Sequence, residues 1–222
     1  MPDLTLVRHA QASFGAANYD SLTELGWQQA RWLAEAFRSH GLTFDRLVTG
    51  TLVRHRETAV ALTDVLNLDR ETEVLPGLDE FDFTGILAAF ARDREMPKQL
   101  HSDRRTHFRV LRDALMAWQR DELIDPPETW RAFEARVGDA LCRLCDPELG
   151  SNVLAISSGG PISQKVRSIL EAPPQTMIRL NLQMKNTGVT KIVFTGQSRY
   201  LNMFNAVPHL DTVDRAKALT YS

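Results

Sequence analysis

The chain has 222 residues, 43% hydrophobic and 24% charged, which suits one buried core and gives no reason to expect several domains. A formal net charge of -2 leaves no basic excess with which to grip a polyanion, and no run approaches the roughly 18 apolar residues of a membrane span. Nucleic acid and membrane are therefore excluded as expected partners, and MPDLTLVRHA has no basic-then-apolar leader pattern, so a cytoplasmic location is expected.

The first predicted element is a strand over Leu4–Arg8, where a branched apolar run ends on Arg8 and His9, two side chains that a sheet interior seldom holds without partners. SLTELGWQQARWLAEAFRSHG follows as an amphipathic helix, with Leu25, Ala30, Leu33 and Phe37 near helical spacing and Gly41 as its stop. A strand over Arg46–Thr49, the helix LVRHRETAVALTDVL and a strand over Glu73–Leu75 come next. From Gly85 to Gly150 no strand is convincing. DRRTHFRVLRDALMAWQRDEL and PETWRAFEARVGDALCRL read there as amphipathic helices, separated at Pro126-Pro127. Strands over Val153–Ser157, Thr190–Thr195 and Tyr200–Asn205 complete the pattern.

This alternation predicts an α/β three-layer sandwich around a mostly parallel sheet, in a single domain spanning 1–222. The helical stretch at about 85–150 is expected as an inserted cap over the sheet edge. The only cysteines, Cys142 and Cys145, form a lone CxxC inside a helical pattern and are read as two small core-facing residues, since no second ligand pair accompanies them.

Ligands of open parallel sheets bind beyond the carboxyl ends of the strands, so the residues that follow each strand belong together. The first strand ends in Arg8-His9, the second leads to Arg54, the third to Glu80 in LPGLDEFD, and the fourth into SSGGPIS. Guanidinium forks match phosphate oxygens, and the amides opening the helix after Ser158-Gly159-Gly160 are expected to point at an anion. With two arginines supplying charge, His9 is a candidate nucleophile and Glu80 a candidate proton donor to the leaving oxygen. Each feature also has a plain structural reading: a strand-end histidine in the core, Arg54 paired with Glu57, and two glycines where a helix packs tightly on a sheet. A dinucleotide site resting on SSGGPI is disfavoured, because the G-x-G-x-x-G spacing is missing and the loop comes late in the chain.

LVRHAQAS, LTELGWQQARWLAEAF and LVTGTLVRHRETA, followed by VLAISSGGPI, TWRAFEARV, MKNTGVTKIVF and NAVPHL, together resemble the histidine phosphatase superfamily with its phosphoglycerate-mutase-like fold. The resemblance spans nearly the whole chain. It implies that His9 is phosphorylated during turnover, that Arg8 and Arg54 hold the phosphoryl oxygens, and that Glu80 is the general acid. It implies no metal and no organic cofactor. The expected partner is a small phosphorylated substrate, and a homodimer is left open.

Two departures from the family pattern stand out. Ser158 occupies the place of the family's second pocket histidine, and losing one charged transition-state donor costs on the order of a hundredfold in rate. Ser158 could suffice with the two arginines and the helix start; His209 could supply the missing cation as an auxiliary; or the chain could bind phosphorylated ligands without turning them over. His55 is expected to be a poor substitute, because neighbours on a helix face different ways and Arg54 claims the inward side. The second departure is Phe14-Gly15, where mutases of this family carry a W-N pair that helps hold phosphate. Gln11 and Ser13 are the loop donors that could replace it in phosphate binding, or they cap the loop. A pocket with fewer anion donors favours release to water, hence a phosphatase over a mutase. Phe81, Phe83 and Phe90 are expected as core beneath the cap, and Arg92, Arg94, Lys98, Arg104, Arg105 and Arg109 as a solvated basic face.

Overall fold

The computed structural model describes residues 1–13, 20–97 and 103–221, with Arg104 described by its backbone alone. In chain order it contains β1 (Asp3–Arg8), α1 (Glu24–Ser39), β2 (Arg46–Thr49), α2 (Val53–Leu66), β3 (Thr72–Val74), a 3-10 turn (Pro76–Leu78) and α3 (Phe83–Ala91). Then follow α4 (Arg104–Gln119), α5 (Trp130–Leu144), β4 (Asn152–Ser157), α6 (Gly159–Ile169), α7 (Gln175–Asn181), β5 (Val189–Phe194), β6 (Arg199–Ala206) and a second 3-10 turn (Ala216–Ala218). Every predicted strand forms, with ends displaced by one residue at most. The short helices α3 and α7 were not predicted, because nine and seven residues carry too few turns to set a period. Among the described residues no helix is long and apolar enough to cross a membrane.

Several helices begin where the sequence supplies a capping oxygen. Thr23 accepts from Gly26 N, Asp82 from Gly85 N, Asp103 from Arg105 and Thr106 N, and Thr129 from Ala132 N. Each satisfies a donor that the first helical turn would otherwise leave unpaired.

The six strands form one α/β sheet in the order β3-β2-β4-β1-β5-β6. β1, β2, β3 and β4 run parallel, β5 pairs antiparallel with β1, and β6 pairs antiparallel with β5 and so runs in the direction of the first four. Alternate residues of the parallel strands feed opposite faces. Leu4, Leu6, Val153 and Ala155 pack with Leu141, Leu144 and Ile162 of α5 and α6, whereas Val7, Leu154 and Ile156 pack with Leu33, Phe37 and Leu62 of α1 and α2. Burial on both faces explains why Leu4, Leu6 and Val7 of β1 are all apolar with Thr5 buried between them, and full burial of each apolar side chain contributes about 1.5–3 kcal/mol.

A further apolar cluster joins Phe81 to α3, α4, α5 and α7 through Ile86, Leu115, Trp118, Phe133 and Met177. Phe83 and Phe90 pack against it, so all three phenylalanines serve as core. The register sets Arg8 of β1 beside Ser157 of β4, and Thr49 of β2 beside Ile156, which brings the carboxyl ends of three parallel strands together.

Candidate active site

His9 follows β1 directly and is 5% exposed. Its backbone N–H donates to the Ser157 carbonyl at 2.9 Å, which fixes the residue against the end of β4. Its ring Nδ1 lies 2.8 Å from the Ala10 carbonyl. A carbonyl can only accept, so Nδ1 carries the proton and Nε2 of the neutral ring keeps its lone pair. Burial, followed by the nearby charges of Arg8, Arg54 and His55, holds the imidazole neutral well below its ordinary range.

Arg54, in the first turn of α2, is 8% exposed. Its Nη1 donates to Asp20 Oδ1, and Asp20 Oδ2 accepts from Val53 N at 2.7 Å, so one carboxylate anchors both the guanidinium and the helix start. The pairing with Glu57 considered from sequence is not formed; Glu57 accepts from Leu22 N instead. Arg8 donates to the carbonyls of Met184 and Tyr221. Both guanidinium groups act electrostatically on His9 and on Glu80, so the four side chains share one neighbourhood.

Glu80 lies in the loop after the first 3-10 turn. Its Oε2 accepts from Gly160 N at 3.1 Å and Oε1 from Phe81 N at 3.2 Å. Burial pushes the carboxyl above its ordinary range, against the opposing pull of the Gly160 amide and of Arg54 and Arg8. A Cβ on Gly160 would overlap Glu80 Oε1, so the glycine is what lets the carboxyl reach the helix start. This narrows the expectation of amides aimed at an anion from the start of α6, because one of them is taken. Gly160 N is spent on Glu80, Pro161 has no N–H, and Gly159 opens the helix beside Asn181. The helix dipole therefore acts on a side-chain carboxylate.

Ser158 is the N-cap of α6 and is fully buried. Its Oγ lies 2.7 Å from Nε2 of His55, whose ring centroid is 5.8 Å from that of His9. Nδ1 of His55 faces Asp79 Oδ1 at 3.6 Å. This corrects the dismissal of His55. The first turn of α2 is wedged between Asp20 on one side and Asp79 with Ser158 on the other, so two successive residues are both buried. Three sequence positions carried the signal: glycine at 50, histidine at 55 and serine at 158.

The model of the histidine phosphatase superfamily, branch 1, matches residues 4–207. The chain belongs to this superfamily. A 2,3-bisphosphoglycerate-dependent phosphoglycerate mutase from Parvibaculum lavamentivorans is 32% identical over 197 residues, covering 82% of this chain and 87% of that protein. Among solved structures, phosphoserine phosphatase from Entamoeba histolytica in complex with 3-phosphoglyceric acid is similar with a TM-score of 0.63 at 21% identity, covering 95% of this chain and 100% of the other. A mycobacterial glucosyl-3-phosphoglycerate phosphatase with inorganic phosphate gives 0.65 at 22% identity, with the same coverage. These likenesses establish the phosphoglycerate-mutase-like fold.

The remaining predicted positions of this superfamily member divide. Gln11 serves the start of α1: its Oε1 accepts from Thr23 Oγ1 at 2.8 Å and its backbone N–H donates to Gln29 Oε1 at 3.0 Å. Ser13 N donates to the Ser21 carbonyl at 2.9 Å, and Phe14-Gly15 lies outside the described residues. His209 is buried with Nε2 at 2.8 Å from Thr187 Oγ1, and burial pushes it down to about 4. In the free protein it is thus a neutral ring bonded to Thr187, not a standing cation. Within the basic face, Arg92 donates to the Ile124 carbonyl, Arg94 to Asp93, and Arg109 to Thr106, while Lys98 and the Arg104 side chain lie outside the described residues. Cys145 is buried, but Cys142 is exposed and so is not core-facing.

Proposed function

We propose that this histidine phosphatase superfamily member is a metal-independent phosphomonoesterase that works through phosphohistidine on His9. The observation that carries the reading is a buried imidazole whose tautomer is fixed by the Ala10 carbonyl, flanked by two guanidinium groups and a carboxyl raised toward its protonated form. Nε2 of His9 forms a P–N bond as the ester P–O bond breaks, and the Glu80 carboxyl gives its proton to the leaving oxygen. Water then attacks phosphorus, the P–N bond returns its electrons to Nε2, and the Glu80 carboxylate takes the proton from water. Arg8 and Arg54 hold the equatorial oxygens, whose charge grows in the transition state.

The test is hydrolysis of an activated aryl phosphate at mildly acidic pH, with quenching to trap the enzyme. Acid-labile, alkali-stable label on His9, and its loss together with turnover in His9→Ala, are expected. Absence of label together with unchanged activity in His9→Ala would rule the mechanism out.

A mutase reading is favoured by one observation, the 32% identity to a phosphoglycerate mutase. Presenting labelled enzyme with 3-phosphoglycerate separates the two: inorganic phosphate marks a phosphatase, and label in bisphosphoglycerate marks a mutase.

A further inference from the structure

Beside His9, whose ring centroid is 5.8 Å from that of His55, three polar side chains form a file. Ser158 Oγ meets His55 Nε2 at 2.7 Å, His55 Nδ1 faces Asp79 Oδ1 at 3.6 Å, and Asp79 is held by Thr51 through its backbone N–H at 2.7 Å and its hydroxyl. His55 and Ser158 are both fully buried. A buried imidazole is costly to keep without a use for its hydrogen bonds. The protein also makes room for this one: a Cβ on Gly50 would overlap both His55 Nδ1 and Asp79 Oδ1. No side chain larger than hydrogen at position 50 is compatible with the observed pair.

The file has two hydrogen-bond directions. With His55 neutral and its proton on Nδ1, which faces Asp79 Oδ1 at 3.6 Å, Nε2 accepts the Ser158 hydroxyl proton, and the serine has none left to offer a ligand. With His55 protonated, Nε2–H donates to Ser158 Oγ while Nδ1–H faces the Asp79 carboxylate, and the hydroxyl proton is released toward a ligand; a neutral ring with its proton on Nε2 would release it too, but would set an Nδ1 lone pair against that carboxylate. An arriving phosphate dianion stabilises the second arrangement and is repelled by the first. Without ligand, burial holds His55 on the neutral side of its ordinary range, with Arg54 pulling the same way and Asp79 and Asp20 opposing; the His9 ring also faces it.

We propose that Asp79, His55 and Ser158 form a proton-coupled relay in which phosphate binding protonates His55 and turns the Ser158 hydroxyl into a phosphate donor. His55 and Asp79 are positioning residues that act through Ser158, and the relay supplies at one remove the charge that a histidine at 158 would supply directly. This rests on the proposed phosphate site but not on turnover there. No bond to phosphorus changes in the step: one proton is taken up from solvent onto His55, and one hydroxyl rotates.

The test is nitrogen-15 NMR of the His55 ring at pH 7, free and with saturating inorganic phosphate, beside kinetics of Ser158→Ala, His55→Gln and Asp79→Asn. A neutral ring in the free protein and a doubly protonated ring with phosphate are expected, with the change absent in Ser158→Ala. Phosphate affinity should fall about a hundredfold in His55→Gln and in Ser158→Ala, and no further in the double variant, because each removes the same donor. Should His55→Gln fail to fold, Asp79→Asn carries the same expectation at reduced size, since Thr51 can still hold the amide. His55→Ala combined with Ser158→His should regain part of the loss by placing imidazole at position 158 itself.

A His55 ring whose protonation is the same with and without phosphate, or additive losses in the double variant, would overturn the relay. Label trapped on His9 is the separate readout for phosphohistidine chemistry. Its failure alongside a His55 response to phosphate would sink the nucleophile and leave the relay standing.

Discussion

Gly160→Ala tests the leaving-group acid without altering its chemistry. The new Cβ would overlap Glu80 Oε1 and lie 2.5 Å from Phe81 Cε1. Phe81 is wedged against Trp118 and Phe133, with ring centroids 5.2 and 5.7 Å away, so the ring can give only a little and the Glu80 carboxyl must give as well. Overpacking costs about 1–3 kcal/mol, and the Gly-to-Ala gain in helix propensity offsets up to about 1 kcal/mol of it, so the protein should remain folded. A displaced Glu80 loses its hydrogen bond from Gly160 N and its place near the leaving oxygen. General acid catalysis is worth about 10²–10⁴-fold, or roughly 3–5 kcal/mol of barrier. The loss should depend on the substrate. An alkyl phosphate, whose leaving alkoxide needs a proton, should slow at least about a hundredfold in kcat/KM, while a nitrophenyl phosphate should slow less than about tenfold. Glu80→Gln should reproduce the same split. An equal fall on both substrates, or an unchanged alkyl rate, would refute the assignment of Glu80 and the glycine's part in placing it.

Two further predictions concern buried bases. Lys165 on α6 is 1% exposed, no group among the described residues hydrogen-bonds its Nζ, and burial pushes it down to about 7. Between about pH 7 and the ordinary lysine range the unfolded chain binds a proton that the folded protein does not. Stability should therefore rise with pH across that window, by on the order of 5 kcal/mol at most. Lys165→Met should raise stability at pH 7 and flatten this rise in denaturant titrations; a destabilised variant with the slope intact would contradict it. His209, pushed down to about 4, acts in a lower window. Its imidazole stays neutral when folded and charges when unfolded, so stability should fall as pH drops from about 6.5 to 4, by on the order of 3 kcal/mol. His209→Gln, which keeps a partner for Thr187, should lessen that acid sensitivity without changing kcat at pH 7.

How much of this was legible in the sequence depends on the range of the interaction concerned. Strand and helix identity follow from local period, and the run Leu4–Val7 is unambiguous because both faces of β1 are buried. Arg8, His9, Arg54 and Glu80 stood out because each follows a strand, and a parallel sheet gathers such ends by construction. Two features did not follow from local pattern. One was the occupant of the α6 N-terminus, since nothing near SSGG says that Glu80, eighty positions earlier in the chain, spends the Gly160 amide. The other was His55. A helix has no single inward direction one residue wide: successive side chains are only about 100° apart, and a helix start gripped from two sides buries an arc of that size. Arg54 meets Asp20 on one flank and His55 meets Ser158 and Asp79 on the other. Such a two-sided first turn is visible in sequence only through its compensations: the missing side chain at Gly50 and the shortened one at Ser158 make the volume and the hydrogen bond that His55 occupies. Gly50→Ser is accordingly expected to cost more activity than an exposed glycine replacement would, and to bring no further loss when His55 has already been replaced by alanine, because the overlap it creates is with that ring and its partner. Equal losses from Gly50→Ser in the presence and absence of His55, measured as kcat/KM, would show that the glycine serves the backbone alone.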